Sequence, residues 1–69
     1  MDAHKLATMA NQIADYFAPY PEVEAVEGIK GHITSFWEPR MIRDLKTAME
    51  TGGDQLGLAP LAASAVAHL

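Results

Sequence analysis

The chain has 69 residues, a hydrophobic fraction of 49%, no cysteine and a formal net charge of −4 at pH 7. The acidic balance argues against partners such as nucleic acids and anionic membranes, because both attract basic proteins. Without cysteine the chain can form no disulfide, thiolate metal site or iron–sulfur cluster. A chain this short buries only about 60% of its unfolded surface, so we expect one domain over residues 1–69, to which a partner could add further burial.

The N-terminal sequence MDAHKLATMANQ has no apolar core of a secretory signal, and no run of residues approaches the length of a membrane span. The lack of cysteine fits a reducing compartment. We therefore expect a cytoplasmic protein without a membrane segment.

The first predicted element is an amphipathic helix over DAHKLATMANQIADYF, residues 2–17. Its apolar face repeats at helical spacing and consists of Leu6, Met9, Ala10, Ile13 and Phe17. The opposite, polar face consists of Lys5, Thr8, Asn11, Gln12 and Asp15. Asp2 is the predicted N-cap, because its carboxylate can accept hydrogen bonds from the free amides of the first turn. Pro19 and Pro21 are predicted to end the helix, since proline has no amide to donate and disfavours helix in the residue before it.

The second predicted helix covers EVEAVEGIKGHITSFW, residues 22–37, and begins with glutamates whose charge complements the helix dipole. Its predicted apolar face consists of Val23, Val26, Ile33 and Trp37, with Ile29 or Phe36 at the margin. Gly28 and Gly31 each cost about 0.5–1 kcal/mol relative to alanine in a helix. Two interpretations fit them equally: a frayed or kinked segment, or a place where another backbone packs closely against the helix.

A helix–helix corner is predicted at Trp37-Glu38-Pro39, because proline is favoured at the first position of a helix. The Glu38 carboxylate lies beside the start of the third helix, where it can interact with the exposed amides of the first turn. The third helix then carries an apolar stripe that consists of Met41, Leu45, Ala48 and Met49. The glycines of TGG, residues 51–53, are its predicted C-cap.

The last segment, LAPLAASAVAHL, predicts a fourth short helix with Pro60 near its first position. Its apolar face consists of Leu58, Leu61, Ala62, Ala65, Val66 and Leu69. Apolar residues never alternate over a useful length, so no strand is predicted. The predicted fold is all-α, a small bundle of about four short helices joined by proline and glycine corners.

Few residues point to chemistry. His4, His32 and His68 lie on three separate segments, without the clustering that a metal site needs. Ser35 follows His32 by one helical turn, but nothing nearby offers an oxyanion hole or an orienting group. The glycine-rich TGGDQLG lacks the lysine of a phosphate-binding loop and follows a helix instead of a strand. The sequence therefore predicts no catalytic, cofactor-binding or metal-binding residue and no small-molecule substrate.

Three cations, Arg40, Arg43 and Lys46, are spaced to lie along one side of the third helix. One interpretation is a contact with an anion or an acidic partner. The favoured interpretation is a solvated face with local ion pairs, because Arg40–Asp44 and Lys46–Glu50 both have i, i+4 spacing.

Aromatic residues gather at the two corners: Tyr16, Phe17 and Tyr20 at the first, Phe36 and Trp37 at the second. Phe17 and one of Phe36 and Trp37 suffice for a core, which leaves the others for the surface. Aromatic residues together with Met and Arg are typical of protein–protein hot spots, and a simple small core explains them equally well. The residues by themselves indicate a small acidic all-α interaction module.

These segments together resemble the small delta subunit of NAD-dependent, molybdenum-containing formate dehydrogenases. KLATMANQIADYF, residues 5–17, is similar to the opening pattern of that family, most tellingly in MANQIA. YPEVEAVEGIKGHITSFWEPRM, residues 20–41, is similar to its central pattern of a proline break, an acidic helix start and FWxPRM. The GG pair followed by LAPLAASAVAHL fits its ending, so the resemblance covers essentially the full length.

The resemblance implies a non-catalytic accessory subunit of a cytoplasmic complex, docking on the catalytic large subunit to support assembly and stability. It implies that other subunits carry the molybdenum bis-pterin guanine dinucleotide cofactor, the iron–sulfur clusters and FMN, and that this chain carries none. The alternative is a transient maturation factor that assists insertion of the molybdenum cofactor. An independent enzyme or small-ligand binder is the least favoured hypothesis. The predicted interface consists of Tyr16, Tyr20, Trp37, Pro39, Arg40, Met41 and Arg43.

Overall fold

A computed structural model of the chain consists of four α-helices joined by short connections. The structure describes residues 2–69, of which Gly53 and Asp54 are described only as part of a helix. The helices are α1 (Ala3–Phe17), α2 (Glu22–Phe36), α3 (Pro39–Leu56) and α4 (Pro60–Ala67). The predicted all-α bundle of four helices is confirmed, and no strand occurs among the described residues.

Helix α1 begins and ends where the sequence predicts. The Asp2 carboxylate accepts a hydrogen bond from the His4 amide at 3.1 Å, so the predicted N-cap is confirmed. Phe17 is the last helical residue before the two prolines. The residues that α1 buries are Leu6, Ala7, Ala10 and Ala14. The local chemistry of the chain thus sets both ends of this helix.

The buried face of α2 differs from the predicted one. Ala25, Ile29 and Ile33 are buried, and Trp37 continues the row four residues later. Val23 is 76% exposed, so its assignment to the apolar face is wrong. The physical reason is that side chains four residues apart lie above one another on a helix, and Val23 falls outside this row.

Helix α3 starts at the predicted corner but ends later than predicted. Pro39 stands in its first turn, whereas Glu38 makes no side-chain cap; the Glu38 carbonyl accepts bonds from the amides of Met41 and Ile42 at 2.9 and 3.3 Å. The backbone is non-helical at Gly52, but α3 runs on to Leu56. The predicted helix end at TGG is therefore confirmed only as a kink at Gly52 that joins two helical pieces, and TGG is not the final C-cap. The C-cap is Gly57, whose φ of 81° is a left-handed conformation that favours glycine.

One apolar core joins the four helices, and α1 and α4 each pack against the three others. The largest fully buried side chains are Leu6, Ile29, Ile33, Leu45 and Val66. Ala62, Ala65 and Val66 of α4 are buried and Leu58, Leu61 and Leu69 pack beside them, so the predicted face of α4 is confirmed. In the part of the chain whose burial is described, six of the 13 buried apolar residues are alanines, whose small side chains allow the helix axes to approach closely.

Asn11 links α1 to the connection between α3 and α4. Its side-chain nitrogen donates a hydrogen bond to the Gly57 carbonyl at 2.8 Å, and its side-chain oxygen accepts one from the Ala59 amide at 2.8 Å. Helical periodicity places Asn11 on the polar face and does not predict this contact. A carboxamide carries both a donor and an acceptor, so one side chain satisfies two backbone groups of the connection.

Gly28 of α2 lies directly against the ring of Phe17. A Cβ atom at position 28 would stand 2.6 Å from Phe17 Cδ1 and 2.9 Å from Phe17 Cζ, whereas one at Gly31 would meet nothing within 4 Å. Of the two interpretations of these glycines, close packing therefore holds at Gly28, although the neighbour is an aromatic ring and not another backbone. Gly31 is an open surface position.

This contrast predicts opposite effects of alanine at the two glycines. Gly28→Ala is expected to destabilise the fold by about 1–2 kcal/mol, because the cost of overpacking exceeds the gain in helix propensity. Gly31→Ala is expected to stabilise it by about 0.5–1 kcal/mol, since only the propensity gain applies. Urea denaturation followed by circular dichroism measures both free energies of unfolding. Equal shifts in the two variants would contradict the packing of Phe17 on Gly28.

Candidate functional site

A groove runs between α1 and the second half of α2. We call it the α1–α2 groove; its volume is about 660 Å³. It is lined by Met9, Gln12, Ile13, Tyr16, Phe17, His32, Phe36 and Trp37. Six of these eight side chains are apolar or aromatic, so the groove suits an apolar partner surface.

Two aromatic side chains of the α1–α2 groove are largely exposed. Tyr16 of α1 is 71% exposed and Phe36 of α2 is 75% exposed. Tyr16 packs edge-to-face on Phe17 with ring centroids 5.0 Å apart, and the Phe36 ring lies 4.8 Å from the His32 ring. Each exposed ring is therefore held by a neighbouring ring, which limits the conformational entropy that a contact with a partner would cost.

Trp37 lines the same groove as these exposed rings. It is only 8% exposed and belongs to the core, while its side chain also forms part of the wall of the α1–α2 groove. The expectation that one of Phe36 and Trp37 completes the core is confirmed, with Trp37 as the buried residue. Phe36 is the one that presents its ring to the surface.

A second groove, the α2–α3 groove, lies on the other side of Trp37. It is lined by Thr34, Trp37, Pro39, Ile42, Arg43, Lys46, Thr47 and Glu50. Trp37 contributes to both grooves, so the two surfaces meet at the corner between α2 and α3. The second groove differs in character because two cations and one carboxylate line it.

The predicted ion pairs of α3 do not form. Among the described residues the ion pair present is Lys30–Glu27 of α2, at 3.2 Å, and neither Arg40–Asp44 nor Lys46–Glu50 comes within pairing distance. The Lys46 ammonium donates instead to the main-chain oxygen of Leu69. The predicted local ion pairs are therefore wrong, whereas the exposure of Arg40 and Arg43 agrees with a solvated face.

The structure divides the seven predicted interface residues among several surfaces. Tyr16 and Trp37 line the α1–α2 groove, whereas Pro39 and Arg43 line the α2–α3 groove. Tyr20 lies in a separate depression, beside Pro60 and Leu61 of α4. One partner could contact the first two surfaces together, because they share Trp37.

Arg40 and Met41 complete the predicted set. Arg40 is exposed in the first turn of α3, and Met41 is half-buried against the core. The predicted set omits Phe36 and His32, although both line the α1–α2 groove. The spacing of four residues that ends at Trp37 could have indicated the exposure of Phe36. If Trp37 continues the buried row, the adjacent Phe36 points away from the core.

The described part of the chain contains no cluster of metal-ligating side chains. His4, His32 and His68 lie on or beside three different helices, and no group of three His, Asp or Glu residues converges there as a metal site. His68 Nδ1 donates to the Ser64 carbonyl at 2.7 Å, a local contact at the end of α4. No helix in the described residues is both long and apolar enough to cross a membrane.

Comparison with protein families decides the assignment. The family model of the NADH-dependent formate dehydrogenase delta subunit, FdsD, matches residues 5–66. The chain belongs to the FdsD family. A search of curated proteins and a search of solved structures each found no match to the chain.

Membership in FdsD gives this chain its biological setting. A delta subunit of a formate dehydrogenase associates with other subunits of that enzyme. The resemblance inferred from MANQIA and FWxPRM is confirmed, since the match spans 62 of the 69 positions, from 5 to 66. The α1–α2 and α2–α3 grooves both lie within the matched range.

Proposed function

We propose that this FdsD chain is a non-catalytic accessory subunit that docks on the catalytic large subunit of a cytoplasmic formate dehydrogenase and supports its assembly and stability. The observation that carries the proposal is the α1–α2 groove with its exposed rings of Tyr16 and Phe36. Exposed aromatic anchors beside an apolar floor are the usual centre of protein–protein interfaces.

The shape of this site favours a protein partner over a small molecule. Small-molecule sites enclose most of their ligand, with a few polar groups that converge on it. Here the rings of Tyr16 and Phe36 stand out into solvent, and Gln12 and His32 are the polar lining residues. A neighbouring subunit would cover both rings and bury apolar surface that a chain of this size leaves open.

The cofactors of the reaction are proposed to reside in the other subunits. The molybdenum bis-pterin guanine dinucleotide and the iron–sulfur clusters need anchoring groups such as cysteine thiolates, and this chain has no cysteine. The described residues also bring no three His, Asp or Glu side chains together. The residues present therefore do not fit these groups, and FMN is likewise assigned to a partner subunit.

The proposal predicts that removing both exposed rings releases the subunit from the enzyme. Tyr16→Ala combined with Phe36→Ala is expected to lower recovery of the large subunit with the tagged chain by about tenfold or more, because the anchors of the contact are lost. The measurement is affinity purification from cells that lack the native delta subunit, with the large subunit and molybdenum quantified in the eluate.

Val23→Ala is the matched control, since Val23 is as exposed as Phe36 but does not line the groove. It should leave recovery unchanged, and circular dichroism should show that all variants remain folded. Full recovery with the double variant would reject the α1–α2 groove as the docking site. Recovery of metal-free enzyme alone would favour the maturation factor, and recovery of no dehydrogenase with the wild-type chain would reject docking altogether.

A further inference from the structure

The α2–α3 groove has an uneven distribution of charge. Arg43 and Lys46 line the half nearest the corner, and Glu50 stands at the far end. Arg40 is exposed one turn before Arg43. Three of the five cations of an otherwise acidic chain thus fall within seven residues.

Arg40 and Arg43 have no carboxylate partner among the described residues. The ion pair that the structure does form is on α2, between Lys30 and Glu27. Lys46 donates to the main-chain oxygen of Leu69, so its ammonium is already engaged, whereas Arg40 and Arg43 are exposed. The exposed guanidinium groups of Arg40 and Arg43 can therefore pair with an acidic group from a partner.

The floor of the groove is apolar. Trp37, Pro39 and Ile42 line it together with the charged side chains. An occupant must therefore combine carboxylates with at least one apolar side chain, as an amphipathic protein segment does.

A single phosphate group is a poorer fit. Phosphate sites commonly use the free amides of a helix N-terminus, but Pro39 has no amide and the exposed Glu38 carboxylate stands beside the first turn of α3. The three cations are also spread along the helix, since six residues correspond to a rise of about 9 Å. Distributed carboxylates match this spacing better than one compact anion.

We infer that the α2–α3 groove binds an acidic amphipathic segment of the catalytic large subunit. Its carboxylates face Arg40 and Arg43, and its apolar side chain lies over Trp37 and Ile42. The inference rests on the proposed docking function and deepens it, because it states the chemistry of the partner segment. Both grooves are lined by Trp37, so this contact would lie next to the apolar one.

The test is a salt titration of binding between the purified chain and formate dehydrogenase prepared without its delta subunit. Arg43→Glu is expected to weaken binding by about five- to twentyfold at 50 mM NaCl, with the difference shrinking as salt screens the charges near 0.5 M. Arg43→Lys retains the charge and should remain within about threefold of the wild type.

A second variant distinguishes an effect of the charges in the groove from an effect of the net charge of the chain. Arg43→Glu combined with Glu50→Lys restores the net charge but reverses the polarity of the groove, and it should bind as weakly as Arg43→Glu alone. Wild-type affinity in this double variant, or in Arg43→Glu at low salt, would overturn the inference while leaving the proposed docking intact. Failure of the wild-type chain to bind at all would overturn both.

Discussion

Trp37→Ala is expected to destabilise the folded chain by about 3–5 kcal/mol, the usual cost of removing a buried aromatic side chain. Trp37 is only 8% exposed and contributes to the core as well as to both grooves. Its removal would leave a cavity at the corner where α2 ends and α3 begins. Because domains of this size have only a few kcal/mol of stability in total, we expect the variant to be largely unfolded at 25 °C.

Phe36→Ala provides the neighbouring control for this prediction. Phe36 is 75% exposed, so its removal should change the free energy of unfolding by no more than about 0.5 kcal/mol. Far-ultraviolet circular dichroism and urea denaturation of the isolated chains give both values. A Trp37→Ala chain as stable as the wild type would show that the corner does not depend on this side chain.

The different burial of Trp37 and Phe36 also decides which residue can test docking. Loss of complex in a Trp37→Ala variant would follow from unfolding by itself, whatever surface the partner contacts. Phe36 changes the surface of the α1–α2 groove without removing core volume. Binding experiments should therefore use Phe36 and Tyr16, with Trp37 reserved for questions of stability.

Asn11→Ala is expected to destabilise the chain by about 2–3 kcal/mol. The change removes both 2.8 Å hydrogen bonds to Gly57 and Ala59, and it leaves the Ala59 amide in a part-buried position without its partner. The connection that Asn11 holds sets the start of α4, and α4 packs against all three other helices. The loss should therefore appear as cooperative unfolding at a lower urea concentration and not as local fraying.

Gln12→Ala is the control for Asn11, since Gln12 is the adjacent carboxamide of α1 and is exposed. It should change the free energy of unfolding by less than about 0.5 kcal/mol. Hydrogen exchange of the Ala59 amide gives a second readout, because that amide should exchange faster in Asn11→Ala and at the wild-type rate in Gln12→Ala. Unchanged protection of Ala59 would contradict the role assigned to Asn11.

The sequence by itself determined the helices, because their signals are local. Asp2 and the prolines at positions 19, 21, 39 and 60 place the ends of helices through groups that lie within a few residues. The family is equally readable from the chain, since the order and spacing of short motifs carry it. These local patterns can be read without knowing how the helices cross.

Only the tertiary structure decided which side chains form the surface. Whether Phe36 or Trp37 enters the core depends on the rotation of α2 against α1 and α4, and periodicity with two adjacent aromatic residues leaves that rotation open. The contacts from Asn11 to Gly57 and from Gly28 to Phe17 join residues on different helices. The sequence also did not determine the partners of the cations on α3. Their i, i+4 spacing permits an ion pair, but such a pair contributes only a few tenths of a kcal/mol and need not form. Contacts between helices depend on packing geometry, which no single stretch of the chain encodes.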